Sequence, residues 1–518
     1  MSVGFSRDRW TEYIRKKVAK GDYSAIVITQ ENDVWAEDKY GKTIVEGEAG
    51  VDDTSVIQKA LDSLTNGGVL LIKNGEYLLK GSGDPPNRFG LQIPHNNIAI
   101  IGENRERTIL KQADGENINI LITTKDKAYK SDITIKRLRI DGNYANQDYS
   151  TLTVDDYRAC AIVGYGDRWR IEDIMIRNCS QYGGIVIHGS NCVIRDNDIG
   201  SLVIFDLSRR KWHAGVFVTA YGSKGNVIEN NWIHDFDGTG IHFEDEAREN
   251  VAENNYITNI HSTENLDAIT YIPTGIWSEG ARNIIRSNWV IGCTRGIVVR
   301  WVAGKPNESG HQNIIAKNVI MNSYYEGIYI LGASDHASDL NEIKGNILID
   351  NGIGGVSGFN RQIKLSDYVV RNVILGNILV VTQSDVVGYQ IDESGAGVGG
   401  GLIANNFLYG LVTVTPIRAA SSSVVRDNIG YPTENSGTAT FSGDGSTTTF
   451  TVDIDHGLVK DKVVAKITLD REGTVDKVYL VDKDGDGFKE TLRVVVTYAT
   501  APADGEEVPI YWEAEVVS

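Results

Sequence analysis

Along much of the chain one short arrangement of apolar and polar positions keeps returning: two apolar residues, two variable ones, an asparagine, another variable position and an apolar residue. It reads NCVIRDNDI, NVIENNWI, NVAENNYI, NIIRSNWV, NIIAKNVI, NEIKGNIL, RNVILGNIL, GLIANNFL and SVVRDNIG. The asparagines fall at Asn197, Asn231, Asn255, Asn288, Asn318, Asn346, Asn377, Asn406 and Asn428, at intervals of 22 to 34 residues. Periods of that length belong to solenoids. The apolar positions alternate at period two rather than 3.6, which gives short strands and excludes helical repeats. Each repeat is then one coil that cannot bury its inner face alone and does so by stacking on its neighbours. The expected fold is all-β, a right-handed parallel β-helix. Asparagine recurring at one turn predicts a ladder of side-chain amides that pairs buried polar groups from coil to coil.

A second pattern, Gly–apolar–x–apolar–x, marks one strand of each coil: GIVIH from Gly184, GVFVT from Gly215, GIHFE from Gly240, GIWSE from Gly275, GIVVR from Gly296 and GIYIL from Gly327. Strands alternate their faces, so the second and fourth residues point inward and the third and fifth outward. The inward set is apolar apart from Ser278. The outward fifth positions form a column of His188, Thr219, Glu244, Glu279, Arg300 and Leu331. The third positions form another, Val186, Phe217, His242, Trp277, Val298 and Tyr329, with Trp212, Tyr221 and Trp301 in flanking loops.

Outside these repeats, residues 1–20 suggest an amphipathic helix, and SAIVITQENDVWAEDKYGKTIVEG a hairpin or meander. A short helix follows, carrying Val56, Ile57, Ala60 and Leu61, with Asp53 or Thr54 as its cap. After Tyr431 the composition turns to Ser, Thr and Gly, and alternating strands suggest a C-terminal β-sandwich. The expected domains are an N-terminal segment over residues 1–45, the β-helix with its short capping helix over 46–432, and the sandwich over 433–518. In the last, Asp482, Asp484 and Asp486 resemble a calcium loop, although Arg493 stands where a bidentate Glu is required.

Asp52, Asp53, Thr54, Ile57, Gln58, Ala60, Leu61, Gly67 and Gly68 resemble the start of the pectate-lyase superfamily, in which such a helix caps the open end of a right-handed β-helix. The resemblance covers roughly residues 45–430. It implies fold rather than reaction, because the superfamily holds lyases, hydrolases, epimerases and phage tailspikes.

Composition narrows the partners. A net charge of −18 argues against nucleic acid, which needs clustered Lys and Arg. No apolar run is long enough for a membrane helix. The four cysteines lack metal spacing and read as buried thiols. No signal peptide is visible in the first 20 residues, and the expected location is extracellular or virion-associated.

The outward columns supply the chemistry. Aromatic faces beside polar groups suit a sugar ring, so Trp277, Phe217, Tyr329, Trp301, Trp212 and Tyr221 are the expected substrate contacts. Glu244 and Glu279 fall one coil apart, about 5 Å, which suits the carboxyl pair of a retaining glycoside hydrolase. Glu279, beside Arg300, is the expected nucleophile and Glu244 the acid; His242 and His188 complete the catalytic candidates. The alternative is a calcium-assisted polysaccharide lyase, with Glu244, Asp245 and Glu246 on the metal and Arg300 with His188 or His242 moving protons. Against it, no Lys lies in the predicted columns, and an acidic groove repels a polyuronate unless calcium bridges them. Separately, neither the paired-Asp motif of polygalacturonases nor the YG–x–DPH-type motif of alginate epimerases is found. A third reading is a non-catalytic glycan-binding tailspike or adhesin. The hydrolase reading requires no cofactor and the lyase reading calcium; the partner is a polysaccharide, and the assembly a homotrimer or a monomer.

Overall fold

The computed structural model describes residues 23–84, 88–148, 160–180, 183–203, 213–219, 222–262, 272–302, 310–333, 337–354, 360–382, 387–410, 416–431, 434–455, 458, 463–482 and 491–516. The expected helix of residues 1–20 lies outside them, as do Trp212, Tyr221, Asp484 and Asp486.

Three sheets run along the solenoid, each taking one strand per coil. The first runs from Gly68–Ile72 to Val424–Arg426, the second from Gly75–Leu79 to Phe407–Tyr409, and the third from Phe89–Ile93 to Ile417–Arg418. Pairing is parallel and keeps its register. Ile162, Ile185, Val216, Ile241, Ile276, Ile297, Ile328, Ile363, Ile391 and Ile417 stand rung on rung. With aliphatic residues in register, successive coils close one continuous core, and the chain is a right-handed parallel β-helix.

The asparagine ladder forms as the spacing demands. From Asn197 to Asn428 each Nδ2 donates to the next Oδ1 at 2.9–3.0 Å. A second ladder, which the sequence reading missed, passes through Asn226, Asn250, Asn283, Asn313, Asn341 and Asn372. Its members open the same repeats, as in NVIENNWI, so the signal was present. The residue before each rung of the first ladder is left-handed, with φ of 54–63° at Asp196, Asn230, Asn254, Ser287, Lys317, Gly345, Gly376, Asn405 and Asp427. That turn aims the asparagine inward, and only glycine adopts it without strain.

At the N-terminal end the meander forms from Ala25–Gln30, Asp33–Asp38 and Thr43–Glu48, antiparallel throughout. Its first strand pairs in parallel with Gly68–Ile72, so the meander continues the first sheet of the solenoid. Helix α1, Asp53–Asp62, turns Val56, Ile57, Ala60 and Leu61 onto the open end of the core. Its capping differs from expectation. Asp52 occupies the cap position without a side-chain cap bond, and Asp53 is buried inside the first turn. The Asp53 carboxylate accepts from the backbone N–H of Gly50 and Leu78, and Thr54 Oγ1 from that of Lys80. Both tie the helix to the first coil.

Beyond Tyr431, two three-stranded antiparallel sheets enclose a separate core that includes Val452, Ile454, Leu492, Val494, Val496, Ile510 and Trp512. The four cysteines are free and buried, and burial pushes the Cys192 and Cys293 thiols up to about 12.

Candidate functional site

The outward face of the third sheet carries the expected site. Its strands Ala214–Val218, Thr239–Phe243, Thr274–Ser278 and Arg295–Arg300 keep His242 opposite Trp277, and Phe243 opposite Ser278. Continuing that register by one residue sets Glu244 one coil from Glu279.

Glu279 is the best-held carboxylate of the group. It is 6% exposed. Arg300 Nε lies 3.0 Å from its Oε1. His242 Nε2 and the backbone N–H of Asp245 approach Oε2, each at 3.4 Å. Burial works to raise its pKa, but the His242 hydrogen bond and the His242 and Arg300 charges outweigh it and hold the group down at about 2. Glu279 is therefore a carboxylate throughout the neutral range. Asp245 has φ of +30°, a sparsely populated backbone for a side chain, and this turns its N–H toward Glu279. Glu244 is half-buried and takes its place through its N–H to the Val218 carbonyl at 3.0 Å.

Two features depart from the sequence reading. The third-position column points outward but is largely covered: Phe217 is 2% and Trp277 4% exposed, and only Tyr329 of its aromatic members is half-buried. Phe217 joins Phe89, Ile120, Cys160, Val163, Val186 and Ala214 in a second apolar cluster outside the sheet. His242 lies between Phe217 and Trp277, with ring centroids at 4.9 and 5.9 Å, and Arg300 lies over the Trp277 ring at 5.2 Å. His188, secondly, stands apart. It is two coils from Glu244, stacked on Tyr165 at 4.6 Å and bonded through Nδ1 to Thr219 Oγ1 at 2.9 Å. Burial, then the Lys127 charge, lowers its pKa to about 4. It lines a cavity of about 410 Å³ with Lys127, Tyr129, Tyr165 and Ser223.

Trp301 follows Arg300 and is half-buried. Among the described residues no three His, Cys, Asp or Glu side chains converge as metal ligands, and Glu244, Asp245 and Glu246 are not grouped that way. Arg493, at the deviant position of the DKDGDG loop, forms a two-bond ion pair with Asp453 at 2.6 and 2.8 Å across a strand pair.

The face also extends beyond the six strands read from sequence. Arg361–Ser366 and Tyr389–Ser394 continue it, with Gln362 and Gln390 at the glycine position. They add Lys364 and Asp392 to the outward column, so a lysine is present after all. The position before the glycine adds Arg295, Glu326 and Arg361. A pattern search accepting Gln for Gly would have found them.

Residues 129–307 match the family model of the right-handed β-helix region. In structure the chain is similar to the A-module of mannuronan C-5 epimerase AlgE6 from Azotobacter vinelandii, with TM-score 0.56, 18% identity, and coverage of 74% of this chain and 96% of that one. It is similar too to the tailspike protein of E. coli bacteriophage HK620 in complex with a pentasaccharide, with TM-score 0.53, 12% identity, and coverage of 93% and 92%. These likenesses place the chain in the class of right-handed parallel β-helix proteins. In sequence it is similar to two Azotobacter vinelandii proteins. Mannuronan C5-epimerase AlgE3 is 27% identical over 224 residues, 40% of this chain and 11% of that protein. Alginate lyase 7 is 30% identical over 144 residues, 26% of this chain and 16% of that protein. The chain thus spans only a small part of the length of these curated relatives.

Proposed function

We propose that this chain binds a polysaccharide along the outward face of the third sheet and hydrolyses it with retention, Glu279 acting as nucleophile and Glu244 as acid/base. One observation carries the reading: Glu279 is a buried carboxylate kept ionised by His242 and Arg300, one coil from a second carboxylate. A spacing of about 4.8 Å between coils is close to the roughly 5 Å carboxyl separation of retaining enzymes. A nucleophile must stay charged and its partner must keep a proton. Arg300 beside Glu279 keeps it in the charged form that a nucleophile needs. Arg300 is engaged by Glu279, and the surrounding Glu244, Asp245 and Glu246 make this end of the face acidic, which favours an uncharged sugar at the bond that breaks.

The similarity to an alginate lyase and an epimerase supports a second reading, β-elimination on a uronate polymer, in which Arg300 and His242 would act on the substrate acid and its proton. Glu244, Asp245 and Glu246 do not gather as a calcium site. Incubating the protein with neutral and acidic polysaccharides separates the readings. New reducing ends without ultraviolet absorbance, abolished by Glu279→Gln or Glu244→Gln in a folded protein, support hydrolysis. Absorbance of unsaturated products, with or without sensitivity to chelator, overturns it. Binding without products leaves the chain a glycan-binding fibre or adhesin.

Self-association is part of the same proposal. Trp232, Tyr256, Trp289, Val319, Ile347, Ile378 and Phe407 form one outward row on the second sheet, and five of them are exposed. A continuous apolar row of this length is suited to packing copies side by side, as a homotrimer.

A further inference from the structure

At the C-terminal part of the third sheet the outward face changes character. Two groups of the same kind stand there, each a buried carboxylate between two cations beside a tyrosine. In the first, Glu326 is fully buried, with Arg295 Nε at 2.8 Å from one oxygen and Lys364 Nζ at 3.8 Å from the other. The Tyr329 ring has Arg295 at 4.7 Å and Lys364 at 5.5 Å from its centroid. In the second, Asp392 is fully buried, bonded by Arg361 Nε at 2.6 Å and by Arg418 through two bonds at 2.6 and 2.7 Å. The Tyr389 ring has Arg361 at 4.4 Å and Arg418 at 4.5 Å.

One cation is enough to neutralise a carboxylate. Here each carboxylate has two, so each group of three carries one positive charge in excess, in a chain whose net charge is −18. Burial lowers the Lys364 pKa, opposed by Glu326 and Asp392, so its charge is held at a desolvation cost. The tyrosines are half-buried, and Arg418 is the most open of the cations, with 42% of its side chain exposed. Guanidinium groups over aromatic rings present a planar pair of donors that matches a sugar carboxylate, which offers two acceptor oxygens. The two groups are centred two coils apart, roughly 10 Å. From the Glu279 strand they lie two and four coils away, roughly 10 and 19 Å.

We propose that these two groups form an anion-selective subsite of the same groove, taking the carboxylates of acidic sugars that lie beyond the bond at Glu244 and Glu279. The substrate is then a mixed polymer in which an uncharged sugar meets the acidic end of the face and acidic sugars meet the basic end. This deepens the reading above and rests on it for the direction of the chain, but the binding it asserts does not require cleavage.

The test uses the full chain carrying Glu244→Gln and Glu279→Gln, so that ligands survive. Oligosaccharides of hyaluronan, chondroitin and glucuronoxylan are titrated calorimetrically, each beside its carboxyl-reduced form, at low and high salt. At least one acidic member should bind more tightly than its reduced form, and added salt should erase the difference. Arg418→Gln and Lys364→Gln should each weaken that acidic ligand about tenfold and leave the reduced one unchanged, with Arg418→Lys restoring most of the loss. The proposal is overturned if no acidic member outbinds its reduced form. It is overturned equally if both variants lower the melting temperature without changing relative affinity, the result expected of coil clasps alone. Charge-selective binding with no cleavage by the unsubstituted chain would sink the hydrolase and keep the subsite. Cleavage indifferent to Arg418 and Lys364 would do the reverse.

Discussion

Single residues divide into those whose bonds the fold cannot spare and those whose chemistry the face can use. Asn288 is of the first kind. It receives the N–H and Nδ2 of Asn255 and donates to Ala252 and Asn318, all buried. Asn288→Ala strands at least two buried groups at about 1–3 kcal/mol each, so chemical denaturation should show a loss of about 3 kcal/mol or more. Gly345 illustrates the turn beside the ladder. Its φ of +62° and open surroundings mean that Gly345→Ala should cost about 1 kcal/mol from backbone strain alone. Glu279 is of the second kind. Its folded pKa of about 2 lies below its unfolded value, so its contribution to stability is complete above the unfolded pKa and is lost as pH falls toward 2. The acid limb of any hydrolytic pH profile should therefore not report Glu279 ionisation at pH 4–5. A limb at that pH abolished by Glu279→Asp would contradict the assignment.

Among the elements, α1 and the meander do for the first coil what each coil does for the next. The helix was legible from its apolar spacing, and so were its buried residues. Its capping was not, because Asp53 is recruited by Gly50 and by Leu78 of a later strand, a partnership 25 residues away in sequence. Burial raises the Asp53 pKa against those two bonds, so the group is held at a cost. Asp53→Ala leaves two N–H groups unpaired and should cost about 2–4 kcal/mol in equilibrium unfolding. The strands of the third sheet teach the same lesson. Alternation gave their facing correctly, yet outward did not mean exposed, since Phe217 and Trp277 pack under neighbours that no period-two pattern encodes.

For the whole molecule, stacking makes long rows out of residues scattered through the sequence. The apolar row from Trp232 to Phe407 is one of them. Replacing Trp289, Ile378 and Phe407 together by Ser should shift sedimentation from trimer toward monomer while the far-ultraviolet circular dichroism stays unchanged; an unaltered sedimentation profile would rule the row out as the interface. The opposite polarity of the two ends of the third sheet is another such row. It emerges only when Arg295, Glu326, Lys364, Asp392 and Arg418 are brought within a few coils of one another.

Sequence by itself determined the coil, its register and its ladder, because a fixed period with alternating apolar residues has one economical way to bury its inner face. It also placed Glu244 and Glu279 in neighbouring coils. The tertiary structure alone decided what surrounds them: His242 and Arg300 on Glu279, and His188 withdrawn to a separate cavity. Those outcomes depend on side chains meeting across coils, at distances of a few ångströms, between positions that sequence separates by twenty residues or more.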